Sequence, residues 1–403
     1  MGEVKQGEFK DTEIGRIPKE WGVVRLGDKN VSEIRSNKII SGFDRVAFIP
    51  MELIPDSNIF ARYEVRSIEE VRSFTYCERG DLLLAKITPS LENGKQGLVP
   101  DDVPNGFALA TTEVFPISCK GIDKLFLFYI LKFPRFRNKI IASMIGTTGR
   151  QRASKESVEN LLIPLPPLPE QRKIAEILST VDQAIQKVDE AIARTERLKR
   201  GLMQRLLTRG IGHREFKDTE IGRIPKEWEV VRLGDVISLK NGERPQLSED
   251  GSFPVYGANG IMGYSKNYLV DNDFTIIIGR VGASGEVHLG SGKIWVSDNA
   301  IYSEKYGKDR VHPPWLYHFL KFKQLSHFAT KTTHPIITQS FLNSCRIPLP
   351  PLPEQRKIAE ILSTVDKKLE LERKRKEKLE RIKKGLMNEL LTGRKRVGVV
   401  RNE

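Results

Sequence analysis

Cysteine is scarce and odd in number. The 403 residues hold three, Cys77, Cys119 and Cys345, spread along the chain. That usage argues against a disulfide framework and for reduced thiols in a cytoplasmic protein. The six histidines form no Cys/His spacing of a zinc site, so no metal and no other cofactor is expected. No apolar run reaches the roughly 18 residues of a membrane-spanning helix. The polar opening MGEVKQGEFKDTE has no secretory apolar stretch, so no membrane partner is expected.

Signatures of chemistry are missing too. GSGK at 290–293 is followed by Ile294, with Val287 where a phosphate loop needs its first glycine. An amino-methyltransferase needs Asn or Asp before Pro-Pro-aromatic; His312-Pro313-Pro314-Trp315 has the wrong first residue and reads as a helix start. No nucleophile–base constellation stands out. The chain is therefore expected not to be an enzyme. A stand-alone DNA methyltransferase or nuclease, and a coiled-coil scaffold that does not bind DNA, remain the alternatives.

What the chain has is repetition. IPLPPLPEQRKIAEILSTVD occurs at 163–182 and again at 347–366, letter for letter. EFKDTEIGRIPKEW occurs at 8–21 and 215–228, each followed one residue later by VVRLGD, at 23–28 and 230–235. The chain is a tandem duplication of units with a constant head, a private middle and a constant helical tail. This suggests head and first middle over 1–162, a first helix over 163–210, head and second middle over 211–346, and a second helix over 347–403.

Each head reads as an extended arm ending in a buried tryptophan, Trp21 or Trp228, then a short strand, Val23–Leu26 or Val230–Leu233. Asp28 and Asp235 follow as turn residues able to cap a helix. In the first middle, Leu82–Ile87 is a strand ended by Pro89, residues 107–118 give a second strand signal, and 124–133 read as a buried helix. The second middle repeats the order, with strands over 274–304 divided by Gly turns and a helix over 314–322. Each middle is thus expected to be a compact α+β domain, both of one fold with diverged loops.

The tails carry a heptad seam. Apolar residues fall at Ile174, Leu178, Val181, Ile185, Val188 and Ile192, then Leu198, Leu202 and Leu206, and at Ile358, Leu362, Val365 and Leu369, then Leu379, Leu386 and Leu390. About 40 residues make a helix of roughly 60 Å. Gly201 and Gly385 sit at matched positions, where a helix either admits a close neighbour or breaks. A narrow apolar stripe needs a partner, and an antiparallel pair within the chain fits best; a homodimeric coiled coil is the other possibility. The fold class expected is α+β, with two similar domains joined by two long antiparallel coiled-coil helices in a pseudo-twofold arrangement.

Head, private middle and PLPPLPEQRKIAEIL tail, all occurring twice, closely resemble the specificity subunits of type I restriction–modification enzymes over nearly the whole chain. The resemblance implies that each middle is a target recognition domain reading one half of a bipartite, asymmetric site in double-stranded DNA. It also implies two methyltransferase (modification) subunits and restriction/translocase subunits as partners.

The net charge of +14 agrees with a polyanionic partner, although the two tails hold ten of those charges. The family has no fixed base-reading motif, so candidates come from residue type. In the first middle these are Lys86, Lys95, Arg150, Gln151, Arg152 and Lys155. In the second they are Lys240, Arg244, Tyr256, Asn259, Tyr264, Lys266, Arg280, Lys293 and Gln339. Basic side chains suit phosphate or guanine, amides suit adenine, and tyrosines can pack on sugars. Each also reads as a solvated surface residue or core aromatic.

Overall fold

The structure, a computed structural model, describes residues 8–307, 309–328 and 336–398. Residues 1–7 of the polar opening and 331–335 of the segment before the second tail lie outside them. The chain divides into two compact units, one of Met1–Asp189 with Arg375–Glu403, the other of Glu190–Lys374.

In the first unit the head forms a small hairpin, β1 (Phe9–Lys10) with β2 (Ile17–Pro18), followed by β3 (Gly22–Arg25). β4 (Ser32–Ile34) enters the middle domain, which adds β5 (Arg45–Ile49), β6 (Glu64–Ser67), β7 (Thr75–Glu78), β8 (Leu82–Ala85), β9 (Gln96–Leu98), β10 (Phe107–Ala110) and β11 (Val114–Cys119). They build two four-stranded sheets, β6-β5-β10-β7 and β4-β11-β8-β9. The strand signal at 107–118 is therefore two strands in two sheets, because the polar turn Thr111–Glu113 interrupts it.

α1 (Lys124–Lys132) starts where the Asp123 carboxylate accepts from the backbone N–H of Leu125 and Phe126, at 3.0 and 2.9 Å. Its residues Phe126 to Leu131 are all buried. α2 (Pro134–Ala142), α3 (Lys155–Glu159) and β12 (Leu162–Leu165) follow, and β12 pairs antiparallel with β3, closing the domain on its own head. Asp28 caps no helix; its carboxylate accepts from Arg25 N at 3.0 Å and closes a turn into β4.

The second unit repeats this frame. β13 (Phe216–Thr219) and β14 (Gly222–Pro225) form the hairpin, and β15 (Glu229–Arg232) pairs with β22 (Arg346–Leu349). Between them run β16 (Ile237–Asn241), β17 (Phe253–Gly257), β18 (Gly260–Ser265), β19 (Val270–Gly279), β20 (Val287–Val296), β21 (Ala300–Tyr306), α5 (Pro313–Phe322) and α6 (Gln339–Ser344). They form one six-stranded sheet, β16-β21-β19-β20-β17-β18. Its first four strands match the order β4-β11-β8-β9 of the first unit, one for one and all antiparallel. The middles share that sheet and the helix after it, and differ in what is added to it. Asp235 lies in a single 3-10 turn, Leu233–Asp235, and accepts from Arg232 N at 3.2 Å.

The tails are α4 (Leu168–Arg209) and α7 (Leu352–Leu390), each continuous through its glycine. A Cβ added at Gly201 or Gly385 would meet nothing within 4 Å, so neither the break nor a close neighbour within the chain is realised. In the first unit Asp182 pairs with Lys383 and Asp189 with Lys376, at 2.5 and 2.7 Å. Seven steps forward on α4 are seven back on α7, which fixes an antiparallel register. In the second unit Glu196 pairs with Arg373 at 2.8 Å and Lys199 with Asp366, again running opposite ways. The helices thus pair within one chain. The seam is less regular than its letters: Ile174, Leu178 and Val188 are buried, but Leu198 is 55% exposed while Thr195 is buried.

Candidate nucleic-acid interface

Each head is locked to the start of a tail by one glutamate. Glu170, buried at 3% exposure, accepts from the Trp21 indole N–H at 3.0 Å and from Arg396 Nε and Nη2 at 2.7 and 2.9 Å. Glu354 accepts from the Trp228 indole at 2.9 Å and from Ile211 N at 2.8 Å, and lies 2.9 Å from His213 Nε2. Arg396 and His213 each sit three residues past a left-handed glycine, Gly393 or Gly210, that ends the tail turn. A Cβ at Gly393 would lie 2.3 Å from Pro18, and one at Gly210 2.3 Å from Glu354 Oε1.

The middle domains dock on the tails through a second matched contact. In the first unit the Tyr129 hydroxyl of α1 donates to Asp182 Oδ2 at 2.8 Å, and Lys383 neutralises the other oxygen. Burial, then the Asp182 charge, pushes the phenol well above its ordinary range. In the second unit His318 of α5 takes the place of Tyr129. Its Nε2 lies 3.2 Å from Ser363 Oγ and its Nδ1 3.8 Å from Asp366, which pairs with Lys199. Burial lowers the His318 pKa to about 4, against the opposing pull of Asp366.

Among the first-middle candidates, Lys86, Arg150, Gln151 and Arg152 gather where β8 ends. Lys86 is half-buried, its ammonium 5.3 Å from the Phe115 ring centre, and burial lowers its pKa. Residue 152 bridges both Ile87 and Ile145, which closes the loop carrying Arg150 and Gln151. Arg150 is exposed and makes no ion pair among the described residues. Arg152 Nη2 donates to both oxygens of Glu113, at 2.9 and 2.8 Å. Lys155 is set on α3, 3.5 Å from Glu159. Lys95 spends its ammonium on the Met51 and Ile54 carbonyls, at 2.8 and 3.2 Å.

The second-middle candidates are more dispersed. Lys240 is paired with Glu304 at 2.5 Å, which raises its pKa. Arg280 is half-exposed at the end of β19. Tyr256 is half-buried beside the small core of Val270, Ile277 and Ile294. Asn259 and Tyr264 are exposed around the β17–β18 hairpin, Arg244 is exposed before it, and Lys266 lies 3.9 Å from Asp250. Lys293 sits 4.8 Å from the Tyr268 ring centre. The Gln339 amide donates to Leu239 O at 2.7 Å.

A family model, the type I restriction modification DNA specificity domain, matches residues 18–194 and again 225–381. The chain belongs to the type I restriction–modification specificity family. The chain is 31% identical over 424 residues to the specificity subunit assigned to the enzyme MjaX of Methanocaldococcus jannaschii, covering 98% of each. It is 29% identical over 437 residues to the specificity subunit of the MjaVIII enzyme of the same organism, covering 98% of this chain and 97% of that one. A solved type I S subunit from M. genitalium superposes with a TM-score of 0.64 over 92% of this chain and 96% of that one; at 17% identity the likeness speaks for the fold. Each matched stretch spans one middle and runs on into its tail helix. No helix among the described residues is long and apolar enough to cross a membrane.

Two residues of these middles were not among the sequence candidates. Glu113 and Asn299 each directly precede a matched strand, β11 or β21. No shared letters mark them, and their equivalence follows only from strand register, Ala85 opposite Val114 and Gly279 opposite Ala300.

Proposed function

We propose that the chain reads a bipartite, asymmetric site in double-stranded DNA, one half through residues 29–162 and the other through 236–346. Two copies of a methyltransferase subunit dock on its duplicated frame, and restriction/translocase subunits join the full complex. The chain contributes recognition and no chemistry of its own, and it works in the cytoplasm. One observation carries this reading: an identical frame encloses unlike interiors. The β3–β12 and β15–β22 pairs repeat in the same register, differing in letters only at Gly22 against Glu229 and Leu162 against Arg346, and the Glu170–Trp21 lock repeats as Glu354–Trp228. The sheets between them carry different side chains and different added strands. A surface presented twice suits two copies of one partner, and two unlike readers suit two unlike half-sites.

Footprinting of the chain with its methyltransferase subunit tests this. Two protected patches separated by an unprotected spacer are expected, and methylation at one asymmetric sequence. A single continuous patch centred on one domain, or methylation without sequence preference, would overturn it. Alone, the chain is expected to bind DNA weakly and with a steep salt dependence, since phosphate contacts dominate nonspecific affinity.

A further inference from the structure

The matched sheets end in a matched backbone node. Beyond the last ladder pair, Lys86 N donates to Glu113 O at 3.1 Å in the first unit, and Arg280 N to Asn299 O at 2.8 Å in the second. A third segment, the one leading to the tail, joins both. Ala153 N donates to Lys86 O at 2.8 Å, and Ile337 N to Arg280 O at 3.1 Å. Bridges Ile87–Arg152 and Val281–Ile336 complete the correspondence. The backbone is thus the same, while the three side-chain positions differ: Lys86, Glu113 and Arg152 against Arg280, Asn299 and Ile336.

None of these side chains is buried. Packing does not dictate them, because the same backbone accepts a carboxylate or an amide at one position and a cation or an aliphatic chain at another. Their chemistry is that of groove readout. A carboxylate accepts from the cytosine amino group, an asparagine amide pairs with adenine, and arginine forks onto guanine. Arg152 holds both Glu113 oxygens from one side, which fixes the carboxylate in place and neutralises its repulsion for phosphate. The Asn299 amide makes no hydrogen bond among the described residues, and Arg150 extends from the adjoining loop without an ion pair among them.

We propose that this node is the specificity-determining site of each recognition domain, with Lys86, Glu113 and Arg152 reading base edges of one half-site and Arg280 and Asn299 reading the other. The proposal rests on the function proposed above and names the residues that carry it. The test uses the chain assembled with its methyltransferase subunit and a library of DNA duplexes randomised at both half-sites, scored by methylation. The wild-type complex comes first: if it marks no bipartite site, the function itself fails and the node with it.

Given a bipartite wild-type site, Glu113→Gln should lose about five- to 150-fold in discrimination at one position of the first half-site, leaving the second intact. Asn299→Ala should do the converse; this side chain holds no hydrogen-bond partner among the described residues, so its loss leaves their fold undisturbed. Thermal melts check that both variants remain folded. If both fold as the wild type does and keep its base preference at every position, the node does not read bases. A uniform drop in methylation with unchanged preference would place these side chains on phosphates, which also overturns the proposal.

Discussion

Replacing Arg396 with methionine tests whether the last described turn of the chain is part of the first unit's core frame. The guanidinium makes two bonds to Glu170, whose side chain is 3% exposed, and one of 2.8 Å to the exposed Glu20. The Glu20 contact is worth little, since water competes for it. The Glu170 contact is different, because the variant leaves a buried carboxylate with only the Trp21 indole. Stranding one member of a buried pair costs about 3–5 kcal/mol, and Arg396 is 17% exposed, so the lower end, about 3 kcal/mol, applies. In a domain of roughly 200 residues, each kcal/mol moves the melting temperature by about 2–4 °C. The first unit's transition should therefore fall by roughly 6–12 °C in calorimetry. The second unit locks Glu354 with its own His213, so its transition should not move. Adding Glu170→Gln to the variant should recover part of the loss, because the stranded charge is then gone. A first-unit midpoint within about 2 °C of wild type would refute the claim that Arg396 compensates a buried Glu170 charge.

His318 gives a pH test: with its pKa lowered to about 4 from an ordinary 6.5, the unfolded chain takes a proton that the folded one refuses. Stability from this group should be flat above 6.5 and fall by about 1.4 kcal/mol per pH unit between 6.5 and 4. His318→Tyr, which places the first unit's residue there, should abolish that component in urea midpoints measured across the range. Gly201→Ala and Gly385→Ala enter open space on continuous helices and should each stabilise the chain by about 0.5–1 kcal/mol in a denaturant melt. Inserting one heptad into both tails should lengthen each helix by about 10 Å, roughly three base pairs, and change the spacer of the methylated site while sparing both half-sites. Replacing residues 29–162 with 236–346 should give both half-sites the base preference of the native second half-site in methylation mapping, since the hybrid carries that reader twice; retention of the native first half-site would refute it.

The frame was legible because its strings are identical and local. VVRLGD predicts one short strand in each half, and the structure pairs it with IPLPPL at the head of the tail, where the repeat alone signals no strand, Val24 with Ile163 and Val231 with Ile347. Ile174 and Leu178 announced the helix seam by spacing alone. What the sequence hid depends on distant partners. The 107–118 run looked like one strand because its letters do not show that its halves join different sheets. Lys95 and Gln339 have the chemistry of DNA contacts, but the carbonyls of Met51, Ile54 and Leu239 engage them, from segments far along the chain. The Arg396–Glu170 lock was invisible for the same reason, and its counterpart His213 is a different residue type.

The same logic explains why the frame repeats and the node does not. Glu170, Trp21 and Trp228 are buried at these contacts and the Glu354 side chain is only 11% exposed, so a substitution there strands a polar group at a cost of about 1–3 kcal/mol. Each of these residues is therefore held by the fold of its own unit. Lys86, Glu113, Arg280 and Asn299 hang on backbone bonds that do not involve their side chains, so their letters can change with little effect on the fold. Restricting readout to such positions lets a new half-site arise without rebuilding the domain. It also means that comparing the two halves by letters finds the frame and misses the reader. Only the matched strand registers, which make Lys86 equivalent to Arg280 and Glu113 equivalent to Asn299, pick out the positions proposed as the readers.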